Sequence, residues 1–237
     1  MTYHLPTYPS SRLETLMHLD MLARTMITQH ENDLIGYKHC GAIIPRASII
    51  HTGSMVMTLM RLITTHHHRH YTFIYDVWFL EPDSDHVSLD DKGRLITSFG
   101  HKIPVKSASS QIPIIIEQLC CMIQIYQSIS QITILHPDQL DQLDPKSMVV
   151  WIAGNLHHGY TLQDSLIQDE LALTQLTLGQ VDDTTLTSYH ILHALGAHYR
   201  HQDIDYNIIP VSYHNTALLD GQKKSTTSYC AALIIKE

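Results

Sequence analysis

The stretch PIIIEQLCCMIQIY, residues 113–126, decides how the rest of the chain is read. Ten of the thirteen residues after Pro113 suit a hydrophobic core, and Glu117 is the one carboxylate among them. Apolar side chains fall nearly all round a helical projection. The pattern therefore predicts a helix over about residues 111–130 that other structure wraps, rather than one lying on a surface. At about 1.5 Å per residue it would be about 30 Å long, enough to cross a membrane on length alone. Glu117, Gln118, Gln124 and Gln127 argue against that, and a single curled sheet is the expected wrapping.

Working outward, residues 10–29 place Leu13, Leu16, Met17, Met21 and Leu22 at helical spacing behind a serine cap, which predicts an N-terminal helical extension over 1–40. The remainder, 41–237, is expected to be one domain. A strand is expected from about Met55 to Ile63, a second in HYTFIYDVWFLE, and a short one at residues 86–89. Residues 136–147, with two prolines and three aspartates, suggest an acidic loop. Five strand-like runs follow: MVVWIAGNL, LALTQLTLGQV, TTLTSYHILHAL, DYNIIPVSYHNTALL and TTSYCAALII, the last two forming a hairpin with Asp220 and Gly221 at its tip. The fold class read from this order is α+β, an antiparallel sheet around one long buried helix.

With 23 acidic and 15 basic residues the formal charge is −8, which argues against general nucleic-acid binding. Between Leu135 and Asp183 stand eight acids against Lys146 alone, whereas Lys102 and Lys106 lie in a stretch without acids just before the Glu117 segment. That small basic rim is a candidate docking surface for an acidic partner. The polar, proline-broken start of the chain does not have the pattern of a secretion signal, so the expected location is cytoplasmic. Cys40, Cys120, Cys121 and Cys230 have no CxxC spacing and are read as buried thiols.

Nineteen histidines raise the question of metal, most of all in THHHRHYT, where His66, His68 and His70 would share a strand face. No carboxylate stands at ligand spacing, so the tract is read as a solvated edge. The H-x-T/S pairs at His70 and His86 fit the signature of two-histidine phosphoesterases, but only 16 residues separate them.

A more specific pattern joins His51 in SIIHTGSMVMTLMRLI to Glu117 in IPIIIEQLCCMIQ. A His-x-Gly-x-Met-apolar run followed, about 65 residues on, by an apolar helix with an early Glu resembles the hotdog-fold 3-hydroxyacyl-[acyl-carrier-protein] dehydratases, closest to the aryl-polyene branch. The resemblance covers about residues 51–130. It implies His51 and Glu117 as catalytic residues. Gly53 and Met55 would form the turn that aims the histidine, and Pro113 would line the substrate site at the helix start. Lys102 and Lys106 would dock the carrier. Cys120 and Cys121 stand where the family carries Ala-Gln.

Removing water from a 3-hydroxyacyl thioester needs one group to take a proton from C2 and another to give one to the departing hydroxyl. His51 would do the first and Glu117 the second, with backbone N–H groups at the helix start receiving the developing negative charge. No cofactor and no metal are expected. The resemblance implies acyl carrier protein or coenzyme A thioesters as substrate and a homodimer as the working unit. A thioesterase that uses Glu117 to activate water, or a non-catalytic protein that binds acyl carrier protein, are the alternatives.

Overall fold

The computed structural model describes residues 38–45, 49–75, 86–107, 109–153, 156–178, 189–216 and 226–236. The expected helix within residues 1–40 and the Asp220-Gly221 hairpin tip lie outside them, apart from Lys38–Cys40, which open a strand. The fold is mixed α+β, with one large sheet and several helices.

In chain order the strands are β1 (Lys38–Pro45), β2 (His70–Tyr75), β3 (His86–Ser88), β4 (Arg94–Ile96), β5 (Lys102–Lys106), β6 (Gln111–Pro113), β7 (Gln131–Leu135), β8 (Met148–Ala153), β9 (His157–Tyr160), β10 (Tyr206–Asn215) and β11 (Thr226–Lys236). The helices are α1 (Ile49–Thr64), α2 (Ile114–Gln124), α3 (Leu162–Thr177) and α4 (Tyr189–His201). Nine strands make the main sheet in the order β10-β11-β1-β8-β2-β7-β5-β4, with β9 added to β11, while β3 and β6 pair separately.

The sheet corrects the expectation of an antiparallel wrap. β1 with β8, β8 with β2, β2 with β7 and β7 with β5 are all parallel. Parallel neighbours need crossover connections and are buried on both faces, so their strands read as continuous apolar runs such as MVVWIA in β8, every residue of which is buried. Two cores result. One holds α1 and α2 against one face of the sheet, and the other holds α3 and α4 against the opposite face. At Gly41 in β1 an added Cβ would lie 3.0 Å from Ile234 Cδ1 and 3.1 Å from Tyr199 Oη, so the missing side chain lets α4 press against the strand.

Three local expectations change with the layering. The run from Met55 to Ile63 is helix, not strand. A continuous apolar run cannot be assigned by periodicity, and its Met and Leu residues favour the helix they form in α1, enclosed on nearly all sides. LALTQLTLGQV and TTLTSYHILHAL contribute to α3 and α4 rather than to strands. Their buried positions, Ser165, Asp169, Ala172 and Leu176, then Ile191, Leu192, Leu195 and Tyr199, keep the helical period. The apparent alternation of LALTQL is a coincidence of leucines on two helix faces. The predicted 111–130 helix is shortened to 11 residues, because Gln111–Pro113 pair with β3 and the chain turns after Gln124. Residues 137–142 form a 3-10 turn between β7 and β8.

Candidate functional site

Pro113 ends β6 and caps α2, with its fixed φ suited to that place and no side-chain hydrogen bond closing the helix start. Glu117 follows in the first turn, 4% exposed. Its Oε1 accepts from the Ser98 backbone N–H at 2.7 Å, from Ser98 Oγ at 2.9 Å and from Cys121 Sγ at 3.1 Å. Ser98 belongs to the tight β4–β5 turn, which Gly100 closes with φ of 80°. Two turns along α2, Gln124 Oε1 accepts from Thr97 Oγ1 at 3.1 Å. Glu117 and Gln124 thus grip the tip of the β4–β5 hairpin from one helix.

A thiol is part of this arrangement. Cys121 is one helical turn beyond Glu117 and supplies a weak S–H donor where an amide would supply a stronger one. Beside it, the Cys120 thiol is pushed well above its ordinary value by burial, with Cys121 and Glu117 adding to the effect.

His51 is the third residue of α1, and α1 packs against α2. The first turns of the two helices share a cavity of about 10 Å³ lined by Pro45, Thr52, Val56, Ile115, Gln118 and Met122, among others. This is room for about one water and not for an acyl chain. His51 and Glu117 are therefore brought into adjacent elements through their sequence neighbours Thr52 and Gln118, while the Glu117 carboxylate is engaged by the hairpin. Gly53 and Met55 do not form an aiming turn, since both lie within α1, where Gly53 is buried and Met55 has no exposed surface.

Lys102 and Lys106 are exposed at the two ends of β5. With Pro104 they share the face of β5 opposite Ile103, which packs in the α1–α2 core. On β4, Arg94 and Ile96 stand opposite Pro104 and Lys102, and Ile96 is 46% exposed. Asp90 holds Arg94 through a 2.8 Å ion pair, and that guanidinium keeps the Asp90 carboxyl below its usual range. The outer end of the sheet thus presents two lysines about 14 Å apart, with proline and isoleucine between and beside them.

A second polar cluster was not foreseen from the sequence. Asp169 of α3 is 2% exposed, and its Oδ2 accepts from Tyr213 Oη, from Ser228 Oγ at 2.7 Å and from Asn215 Nδ2 at 3.3 Å. Asn215 Nδ2 also donates to Ser165 Oγ at 2.9 Å and Ser228 Oγ at 3.0 Å. Burial, then the nearness of Asp169, raises the Tyr213 phenol to about 12 and the Cys230 thiol to about 12. A groove of about 500 Å³ runs beside it between α3 and Tyr213, walled by Leu166, Leu173 and Leu178. The available signal was Thr161-x-x-Asp164, where Thr161 Oγ1 accepts from Asp164 N at 3.3 Å and starts the helix that carries Asp169.

Among the described residues no three His, Cys, Asp or Glu side chains gather as a metal ion requires. His66 and His68 lie in the turn after α1, not on a strand with His70, with ring centroids 6.3 Å apart. Among the described residues no helix is long and apolar enough to cross a membrane. Neither a protein-family model nor a curated protein matches the sequence.

Proposed function

We propose that this chain serves acyl-carrier-dependent lipid synthesis by binding acyl carrier protein on the β4–β5 hairpin, without turning over the acyl thioester. The observation that carries this reading is the hairpin itself. It presents Lys102 and Lys106 on an outward face of an otherwise acidic chain, and Glu117 and Gln124 hold its tip fixed. Exposed lysines attract an acidic partner and speed encounter, while Ile96 and Pro104 offer apolar contact once it docks. A Glu117 carboxylate committed to three donors acts as a clamp on the binding surface.

Dehydration of 3-hydroxyacyl thioesters is the second reading. His51 and Glu117 occupy the first turns of two packed helices, and the start of α2 has no side-chain cap, so its N–H groups suit a developing enolate. Catalysis then requires Glu117 to exchange Ser98 and Cys121 for substrate. In this reading the working unit is a homodimer.

Titration of fluorescently labelled acyl carrier protein tests the first reading. Wild type binds at low salt, and Lys102→Glu with Lys106→Glu weakens binding by about tenfold or more. Equal binding by both proteins rejects the surface. Crotonyl thioesters separate the chemistry. Loss of enoyl absorbance abolished by Glu117→Gln establishes the dehydratase, release of thiol with the double bond intact indicates a thioesterase, and neither is expected of a carrier-binding protein.

A further inference from the structure

We propose that the groove between α3 and Tyr213 is a docking site for a basic amphipathic helix of a partner protein. Its volume of about 500 Å³ is of the size that holds a ligand, and Leu166, Leu173 and Leu178 give it apolar walls. Leu166 is 40% exposed and Leu178 63%. Apolar surface gathered in one groove marks a binding site, whereas leucines exposed singly do not.

The polar groups along the groove select the charge of the occupant. Thr174 Oγ1 donates to the Glu170 carbonyl at 2.8 Å, Thr177 Oγ1 donates to the Leu173 carbonyl at 2.8 Å, and Tyr213 Oη donates to Asp169. Each hydroxyl proton is thus already used, and oxygen acceptors are what the groove has left to offer. No Lys, Arg or His lines it, and α3 contains none. The Glu170 carboxylate is exposed and makes no hydrogen bond or ion pair among the described residues. The groove also reaches the last turn of α3 at Thr177 and Leu178, where the carbonyls carry partial negative charge and no basic side chain offsets it. Acceptors, an unengaged carboxylate and a negative helix end together call for positive charge on an apolar body.

A helix fits the shape. The lining residues of α3 recur at helical spacing from Leu166 to Leu178, so the groove follows the helix for about 18 Å, or about three turns. A partner helix laid along it would set Leu or Ile side chains, three and four residues apart, against Leu173 and Leu178. A Lys or Arg near one end would run its stem over Leu166 and bring its charge to Glu170. An acidic carrier would be repelled here, as would an anionic membrane surface. The groove lies at the β10 end of the sheet and the β4–β5 hairpin at the other, so the two surfaces can be tested apart.

Fluorescence anisotropy tests the site with a labelled helical peptide of leucine and lysine, about 14 residues long and apolar on one face. The full chain should bind it at micromolar concentration, and the same peptide with glutamate in place of lysine should not bind. Glu170→Lys and Leu178→Asp alter exposed positions and should each raise the dissociation constant about tenfold or more. Asp138→Lys makes the same change of charge as Glu170→Lys at an exposed residue of the 3-10 turn, and should leave binding unchanged. Equal loss in Asp138→Lys and Glu170→Lys would reduce the contact to general attraction and overturn the proposal. So would indifference to both α3 substitutions, or equal binding of the glutamate peptide. Self-association of the chain that Glu170→Lys abolishes would assign the groove to a second copy instead, and would overturn it as well.

Discussion

Glu117 and Asp169 are the two buried carboxylates among the described residues, and they sit on opposite faces and near opposite ends of the sheet. Each gathers three donors onto one oxygen. The donors differ in kind. Glu117 takes a backbone N–H and a hydroxyl from Ser98, an exposed turn residue, with a weak thiol behind them. Asp169 takes side chains from β10 and β11, among which Asn215 and Ser228 are themselves buried. One carboxylate fixes a hairpin that water can still reach, and the other fastens a helix to the sheet from inside. A conspicuous acid in an apolar run is therefore no better a guide to importance than an ordinary one on a polar helix.

The largest expected effect breaks the comparison on the Asp169 side. Asp169→Ala leaves the Tyr213 and Ser228 hydroxyls short of an acceptor, and should cost about 3 kcal/mol in urea unfolding. Glu117→Ala should cost less, about 1–2 kcal/mol, because water can take over the exposed Ser98 donors. Equal losses would show that solvent access at Ser98 does not matter to the clamp.

The two regions also separate by pH. The Tyr213 phenol rises from its ordinary value of 10.0 to about 12 on folding, chiefly through burial and then through Asp169, so the fold favours the neutral form. That contribution is present in full below pH 10 and is lost as the pH rises to about 12. Cys230, raised from 9.0 to about 12 by burial and then Asp169, acts in the same direction. Stability should fall across this window, with late tyrosinate absorbance near 295 nm, and Tyr213→Phe should remove part of both effects. An unchanged alkaline transition in Tyr213→Phe would place the sensitive group elsewhere.

The smallest effect sharpens the Glu117 side. Glu117→Gln keeps an oxygen for Ser98, so stability should change by less than about 1 kcal/mol and carrier binding should persist. A clamp predicts nothing further, whereas a proton donor predicts a loss of turnover of roughly 100-fold. Cys121→Gln replaces the thiol donor with an amide, and should tighten the clamp or leave it unchanged. A marked loss of stability in Cys121→Gln would mean that the space beside Glu117 admits only the smaller side chain.

Much of the fold was legible where local chemistry leaves one choice. HYTFIY reads as a strand from its aromatic and β-branched residues, TTSYCAALIIK pairs with YNIIPVSYHN as read, and the helical character of the Glu117 segment follows from its composition. Glu117 was legible as buried because the residues around it have nowhere else to go. The basic rim was legible because Lys102 and Lys106 stand apart from every acid in their stretch.

Tertiary structure decided the rest. Whether the apolar run of α1 becomes strand or helix depends on which surface covers it, since the run is buried either way. Whether strands lie parallel or antiparallel depends on crossovers between segments far apart in sequence, such as β1 and β8. The fate of Glu117 was fixed by a hairpin 19 residues away that supplies its partners, and that of Asp169 by β10 and β11 some 44 to 59 residues away. Sequence determined which groups must leave water, because that cost is local to each side chain. Only the packed sheet could determine what each buried group would meet there, because partners brought together by folding leave no mark on the order of residues.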